Sequence, residues 1–93
     1  CLESNMKLGS GLAPVPELLE AGVAVGLGTD GPASNNDQDL FGEMGNVARV
    51  HKGFRRDPTV LPAARVLQLA TDGGAACLRM TGRLGRLAVG AAA

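Results

Sequence analysis

Asp30 is the residue in this sequence best placed to do chemistry. It follows the apolar run Val23-Ala24-Val25-Gly26-Leu27-Gly28 and precedes Gly31-Pro32 and the polar stretch Ala33-Ser34-Asn35-Asn36. A continuous apolar run without alternation reads as a strand covered on both faces, as in a parallel sheet. In open α/β sheets and in barrels, ligands bind beyond the carboxyl ends of such strands. A carboxylate there can bind a divalent metal through oxygen and take a proton from a water that the metal activates. The competing reading is an Asp in a turn, bonded to nearby backbone amides. Ser34, Asn35 and Asn36 divide the same way, between a substrate-facing loop that helps hold Asp30 and ordinary loop and cap chemistry.

Three other patterns carry less. Gly26-Leu27-Gly28-Thr29-Asp30-Gly31 is a literal GxGxxG, the pattern of dinucleotide-binding turns. Its context is poor: two of the glycines fall inside the expected strand, Pro32 and a polar loop follow, and Val50 and His51 stand where an acid belongs. His51, the only histidine, falls near an apolar helical stripe; it reads as structural or solvent-facing, because a zinc site needs several ligands. Cys1 and Cys77 form neither a disulfide framework nor a metal knuckle. Cys77, in an Ala-rich helix, reads as a small buried residue.

The elements that must position Asp30 follow from the flanking pattern. Residues 1–13 read as irregular. Pro14-Val15-Pro16 opens a short helix with Leu18 and Leu19 on its apolar face and Gly22 as its stop. Residues 23–28 are the strand. Asp37 or Asp39 caps a helix over about 38–52, in which Leu40, Phe41, Met44, Val47, Ala48 and His51 recur at helical spacing. Gly42 and Gly45 weaken that helix, and close packing would explain them. A further helix is expected over about 60–70, with Pro62 in its first turn, and another over about 72–79, capped by Thr71. Residues 84–89 could form a strand of a separate β element.

Bulk properties exclude several classes. Nine Lys+Arg balance nine Asp+Glu in 93 residues, so no basic footprint points to nucleic acid. No apolar run reaches the ~18–20 residues needed to span a bilayer. The chain is far shorter than the ~250 residues of a closed (β/α)₈ barrel. Cys1 at the start and Gly90-Ala91-Ala92-Ala93 at the end read as the edges of a piece. With Phe41 and Phe54 as the only aromatics, the core must be Leu, Val, Ala and Met.

Ser4-Asn5-Met6-Lys7-Leu8, Gly11-Leu12-Ala13-Pro14-Val15, Gly26-Leu27-Gly28-Thr29-Asp30-Gly31 with Ala33-Ser34-Asn35-Asn36, and Leu40-Phe41-Gly42-Glu43-Met44 together resemble the amidohydrolase superfamily. The similarity is greatest to its S-adenosylhomocysteine/methylthioadenosine deaminase group. Leu69-Ala70-Thr71 with Gly74-Ala75, then Gly85-Arg86-Leu87, continue it. The resemblance implies an α/β fold: the C-terminal fragment of a (β/α)₈ TIM-type barrel leading into a small β domain. Residues 1–81 would belong to the barrel, with 1–8 at the end of the seventh strand and 23–28 as the eighth, and 82–93 would begin the return to the β domain. It implies one divalent metal, zinc with iron as the alternative, held by histidines and by the Asp matching Asp30. Asp30 would also accept a proton and help deliver it to the leaving amine. Ser34 matches a position near that Asp and the substrate, and Asn5 belongs to a motif beside the site. The family's metal-binding histidines and catalytic Glu have no counterpart in these residues, and His51 corresponds to none of them.

The implied activity is hydrolytic deamination of a purine-type ring of the adenosine, methylthioadenosine or S-adenosylhomocysteine class. A triazine or 8-oxoguanine would suit the same machinery. The implied setting is a cytoplasmic, homo-oligomeric parent enzyme with a small-molecule substrate, no nucleic acid and no membrane. The 93-residue chain alone is expected to be inactive, since a single carboxylate cannot hold a catalytic metal. The rival reading is a non-catalytic structural or partner-dependent fragment. A nucleotide-binding module is a third, resting only on the GxGxxG match.

Overall fold

The computed structural model describes residues 1–92, and its first element corrects the sequence reading. Residues expected to be irregular, or to end a strand, form helix α1, Leu2–Leu8. Its end is marked by Gly9 at φ 65, with Gly9 N–H bonded to Met6 O and Ser10 N–H to Asn5 O. That pair of bonds is a Schellman stop, which favours glycine for its left-handed backbone. Helix α2, Val15–Glu20, has Pro16 in its first turn and stops the same way, with Gly22 N–H on Leu19 O and Val23 N–H on Leu18 O.

Residues 23–28, expected as a strand, form neither a helix nor a sheet strand in the structure and run as a segment without regular secondary structure. No strand occurs among the described residues, only an isolated bridge between Thr81 and Leu84. Pairing requires a neighbour, and the segment's one long-range backbone bond runs from Leu27 N–H to Leu69 O at 3.2 Å. A cavity of about 550 Å³ opens between its Val23–Val25 end and Arg65, Gln68 and Asp72. A second, of about 340 Å³, lies between Ala24–Leu27 and Leu2, Val15 and Val47. The expected strand at 84–89 is likewise absent, and Leu87 and Val89 are fully exposed.

Helix α3, Leu40–Arg55, is the scaffold of the chain. Asp39 is its cap, accepting Phe41 N–H at 2.9 Å. Asp37 instead holds the Asp39 amide, at 2.8 Å. The helix runs three residues past the expected end, to a left-handed stop at Arg56. At Gly42 and Gly45 the atoms nearest an added Cβ belong to the Asp39 and Arg49 side chains of the same region, not to a packed neighbouring element. Helix α4, Ala63–Gln68, starts later than expected, with Pro62 as its cap rather than in its first turn. It continues through a π turn, Leu69–Gly73, into α5, Gly74–Cys77. Thr71 does not cap a new helix; its hydroxyl donates to Leu67 O at 2.8 Å and the chain stays helical.

The core is aliphatic. Leu2, Val15, Val47, Leu61, Val66 and Leu69 form one buried cluster, with Val25 and Leu27 packed against it. The 23–28 segment lies on the π turn through glycine. A Cβ at Gly73 would sit 2.4 Å from Val25 O, and one at Gly26 would sit 2.9 Å from Gly74 Cα. No helix among the described residues is long and apolar enough to cross a membrane.

Candidate active site

Asp30 follows the 23–28 segment in a left-handed backbone conformation, φ 67, which Asp tolerates better than most side chains. The turn after it is closed by Ser34 and Asn35 N–H groups on Gly31 O, at 3.1 and 2.8 Å. This geometry brings Ser34 back over Asp30, where its hydroxyl donates to Oδ2 at 2.6 Å. Ser4, from α1, donates to the same oxygen at 2.8 Å. Oδ1 accepts Gly31 N–H at 2.8 Å. The carboxylate is therefore pinned from its own turn and from a distant helix.

The loop around it is braced independently. Lys7, one turn beyond Ser4 on α1, donates to Ala33 O at 3.0 Å and Asn36 Oδ1 at 2.6 Å. Asn35 is fully buried, and its Oδ1 accepts the Asp37 and Gln38 amides. Gln38 Nε2 reaches back to Asp30 O at 3.2 Å. In the loop that the sequence leaves divided between function and capping, Ser34 hydrogen-bonds Asp30, while Asn35 closes the turn leading to α3.

Three hydrogen bonds to the charged form hold the Asp30 carboxyl down to about 2, Ser34 contributing most, then Ser4 and the Gly31 amide. Asp30 is thus ionised across the neutral range, and its side chain stands at an exposed position. An ionised carboxylate oxygen is a suitable ligand for zinc. Such a site needs several ligands, and Asp30 offers one carboxylate. The described residues do not complete it, since no three His, Cys, Asp or Glu side chains among them come together.

Asn5 makes no side-chain hydrogen bond to the Asp30 cluster among the described residues; its neighbour Ser4 does. Ser4 was not singled out from the sequence, because residues 1–13 read as irregular. With α1 known, the i, i+3 pair Ser4 and Lys7 shares a helix face, and that face meets the loop 30–36. The GxGxxG match has no helix to open: after Gly31 the next helix begins at Leu40. Cys77 is exposed rather than buried, and Cys1 is exposed as well.

His51 is buried on α3, with Nε2 unpartnered, in a hollow lined by Leu12, Pro14, Glu17, Phe54 and Arg55. Burial pushes its imidazole below the ordinary value, opposed by Glu17 and helped by Arg55. Arg55 is itself paired with Glu17 at 2.6 Å and Glu20 at 3.1 Å. The hollow is formed by different residues from those of the Asp30 cluster.

The chain belongs to the amidohydrolase family, which it matches over residues 1–93. Among curated proteins it is similar to the 5-methylthioadenosine/S-adenosylhomocysteine deaminases of Syntrophobacter fumaroxidans and Desulfovibrio desulfuricans. The first is 64% identical over 88 residues, covering 95% of this chain and 20% of the relative. The second is 58% identical over 92 residues, covering 99% and 21%. Among solved structures it is similar to an adenosine deaminase from Xanthomonas campestris with bound zinc. That likeness has a TM-score of 0.90 and 46% identity, covering 98% of this chain and 21% of the other. The chain spans about a fifth of the length of these relatives.

Proposed function

We propose that a full-length protein containing this chain is a metal-dependent aminohydrolase that releases ammonia from a purine-type ring, with Asp30 as metal ligand and proton carrier. The observation that carries this reading is the Asp30 cluster: an ionised carboxylate fixed by Ser4, Ser34 and Gly31, in a chain that overlays a zinc-bound adenosine deaminase. The substrate class, an adenosine-type ring of the methylthioadenosine or S-adenosylhomocysteine kind, rests on the names of the similar deaminases. The metal is proposed to be zinc, in line with the neighbouring structure. The proposal extends to a (β/α)₈ parent in which residues 1–81 belong to the barrel and 82–93 lead to a β domain. It extends also to a homo-oligomeric, cytoplasmic enzyme.

A divalent ion held there supplies Lewis-acid activation of water, lowering its pKa towards ~7. Asp30 offers an oxygen ligand and, on the same carboxylate, a place for one proton. Ser4 and Ser34 favour the charged carboxylate, which suits ligation and works against keeping a proton. A proton taken up by Asp30 would be handed on to the leaving amine. Ser34, which hydrogen-bonds Asp30, is proposed as a substrate-binding residue. Asn5 keeps only its proximity to Ser4 in support of a substrate role. The isolated chain is proposed to be inactive, because one carboxylate does not make a metal site.

The test is a full-length protein assayed for metal content and for ammonia release from adenosine, methylthioadenosine and S-adenosylhomocysteine, beside its Asp30→Asn variant. About one bound metal per chain and activity abolished by Asp30→Asn are expected. A metal-free protein, or Asp30→Asn retaining full activity, would sink the reading.

A further inference from the structure

We propose that Glu43 is a positioning residue for the Asp30 site, acting through helix α1 and Ser4; the catalytic part of this inference rests on the aminohydrolase reading above. Glu43 lies on α3 and is completely buried. Its carboxylate accepts hydrogen bonds from the backbone N–H groups of Leu2 and, at 3.2 Å, of Glu3. These are the opening amides of α1, which have no partner inside the helix and no side-chain cap from Cys1. Glu43 therefore does from another helix what a local cap residue does elsewhere.

Such a cap matters here because α1 has only seven residues. A helix of that length is not stable by itself in water and takes its position from its tertiary anchors. Its anchors on α3 are Glu43, the burial of Leu2 beside Val47, and a bond from Asn46 Nδ2 to Glu3 Oε2 at 3.2 Å. One residue beyond Glu3 is Ser4, itself buried, whose hydroxyl reaches Asp30. A turn further on, Lys7 braces the loop 33–36. The chain of contacts runs from the rigid sixteen-residue α3, through Glu43, into α1, and from α1 to the carboxylate. A buried carboxylate is costly unless its oxygens are used. An apolar residue would fill the same space against Leu2, so the acceptor oxygens are what this position supplies.

The test uses the full-length, metal-loaded protein with Ser4→Ala, Glu43→Gln and the double variant. Glu43→Gln keeps the shape and one acceptor oxygen, but turns an N–H donor towards the other of the two α1 amides. Each single variant is expected to lower kcat per metal-loaded site roughly tenfold, with little change in KM, because each loosens a hydrogen bond to a charged group. The double variant should lose no more than the worse single one, since both act along one path. Losses that multiply, or a fall in Tm with kcat retained, would overturn the proposal. A second readout does not depend on activity. In a crystal structure of Glu43→Gln, the Ser4 Oγ to Asp30 Oδ2 separation, 2.8 Å here, should open beyond hydrogen-bonding distance. An unchanged contact overturns the positioning role. If Glu43→Gln does not fold, Glu43→Asp keeps the carboxylate, withdraws it by one methylene, and is read in the same two ways. A wild-type protein without deaminase activity sinks the functional reading alone and leaves the structural readout to decide this one.

Discussion

Gly73 and Gly74 are adjacent, both helical, and should respond to alanine with opposite signs. Their φ values are −62 and −58, where any residue is at ease. In an open helix, Gly→Ala gains about 1 kcal/mol, because alanine gives up less backbone freedom on folding. At Gly74 nothing lies within 4 Å of the added Cβ, so Gly74→Ala should stabilise by about 0.5–1 kcal/mol. At Gly73 the same methyl would meet Val25 O at 2.4 Å and Gln68 O at 3.1 Å. Both are backbone atoms, and neither can rotate away. Reaching ordinary contact, 3.4 Å, would push the 23–28 segment off the π turn. Overpacking of this kind costs about 1–3 kcal/mol, and the upper end applies where only backbone can give. After the helix gain is subtracted, Gly73→Ala should destabilise by about 2 kcal/mol. Urea denaturation of the full-length protein, followed by far-UV circular dichroism, reads both midpoints. The reasoning fails if the two midpoints move together in either direction. Because Val25 leads directly to Asp30, Gly73→Ala should also reduce metal occupancy, and Gly74→Ala should not.

Other consequences follow from the same contacts. Leu69→Ala empties a nearly fully buried position in the core and should cost about 3 kcal/mol in denaturant titration. Ser34→Ala removes the largest of the hydrogen bonds holding Asp30 down, so the Asp30 pKa followed by NMR in metal-free protein should rise from about 2 towards 3.8. His51 titrates below its ordinary value of 6.5 in the folded chain, so the unfolded chain binds its proton first. Its share of stability is present above about pH 6.5 and is lost as pH falls from there through the lower folded value. Glu17 limits that loss and Arg55 adds to it. The stability difference between wild type and His51→Gln should therefore shift towards the variant between about pH 8 and about pH 5, and a difference constant across that range would contradict the burial argument.

Local signals were legible and remote ones were not. Asp39, Gly22 and the aliphatic spacing of residues 40–51 act on their own neighbours, and α2 and α3 stand close to where those residues put them. Helix α1 was missed because its cap is Glu43, forty residues away, and no nearby residue announces its start. Thr71 was read as a break because it is a common cap, yet its hydroxyl turns back to Leu67 O and the π turn carries the helix past it. At the site, Asp30 and Ser34 were legible because both belong to one turn. Ser4 was not, because only the fold of α1 onto α3 brings it within 2.8 Å of Asp30.

The 23–28 segment shows where legibility ends for a physical reason. Its apolar run reads as a strand, but a strand is a property of a pair, and no partner is among the described residues. One would expect the carboxylate at its end to be loose. It is not, because its position does not depend on strand neighbours. The π turn supports the segment from behind through Leu69 O, and Gly26 and Gly73 allow that close approach. Helix α1 holds the carboxylate from the side through Ser4, and α3 holds α1 through Glu43. The carboxylate is held by helices that lie in the same stretch of chain. Within a stretch that spans about a fifth of the relatives' length, the position of the Asp30 carboxylate is therefore set by contacts made inside that stretch.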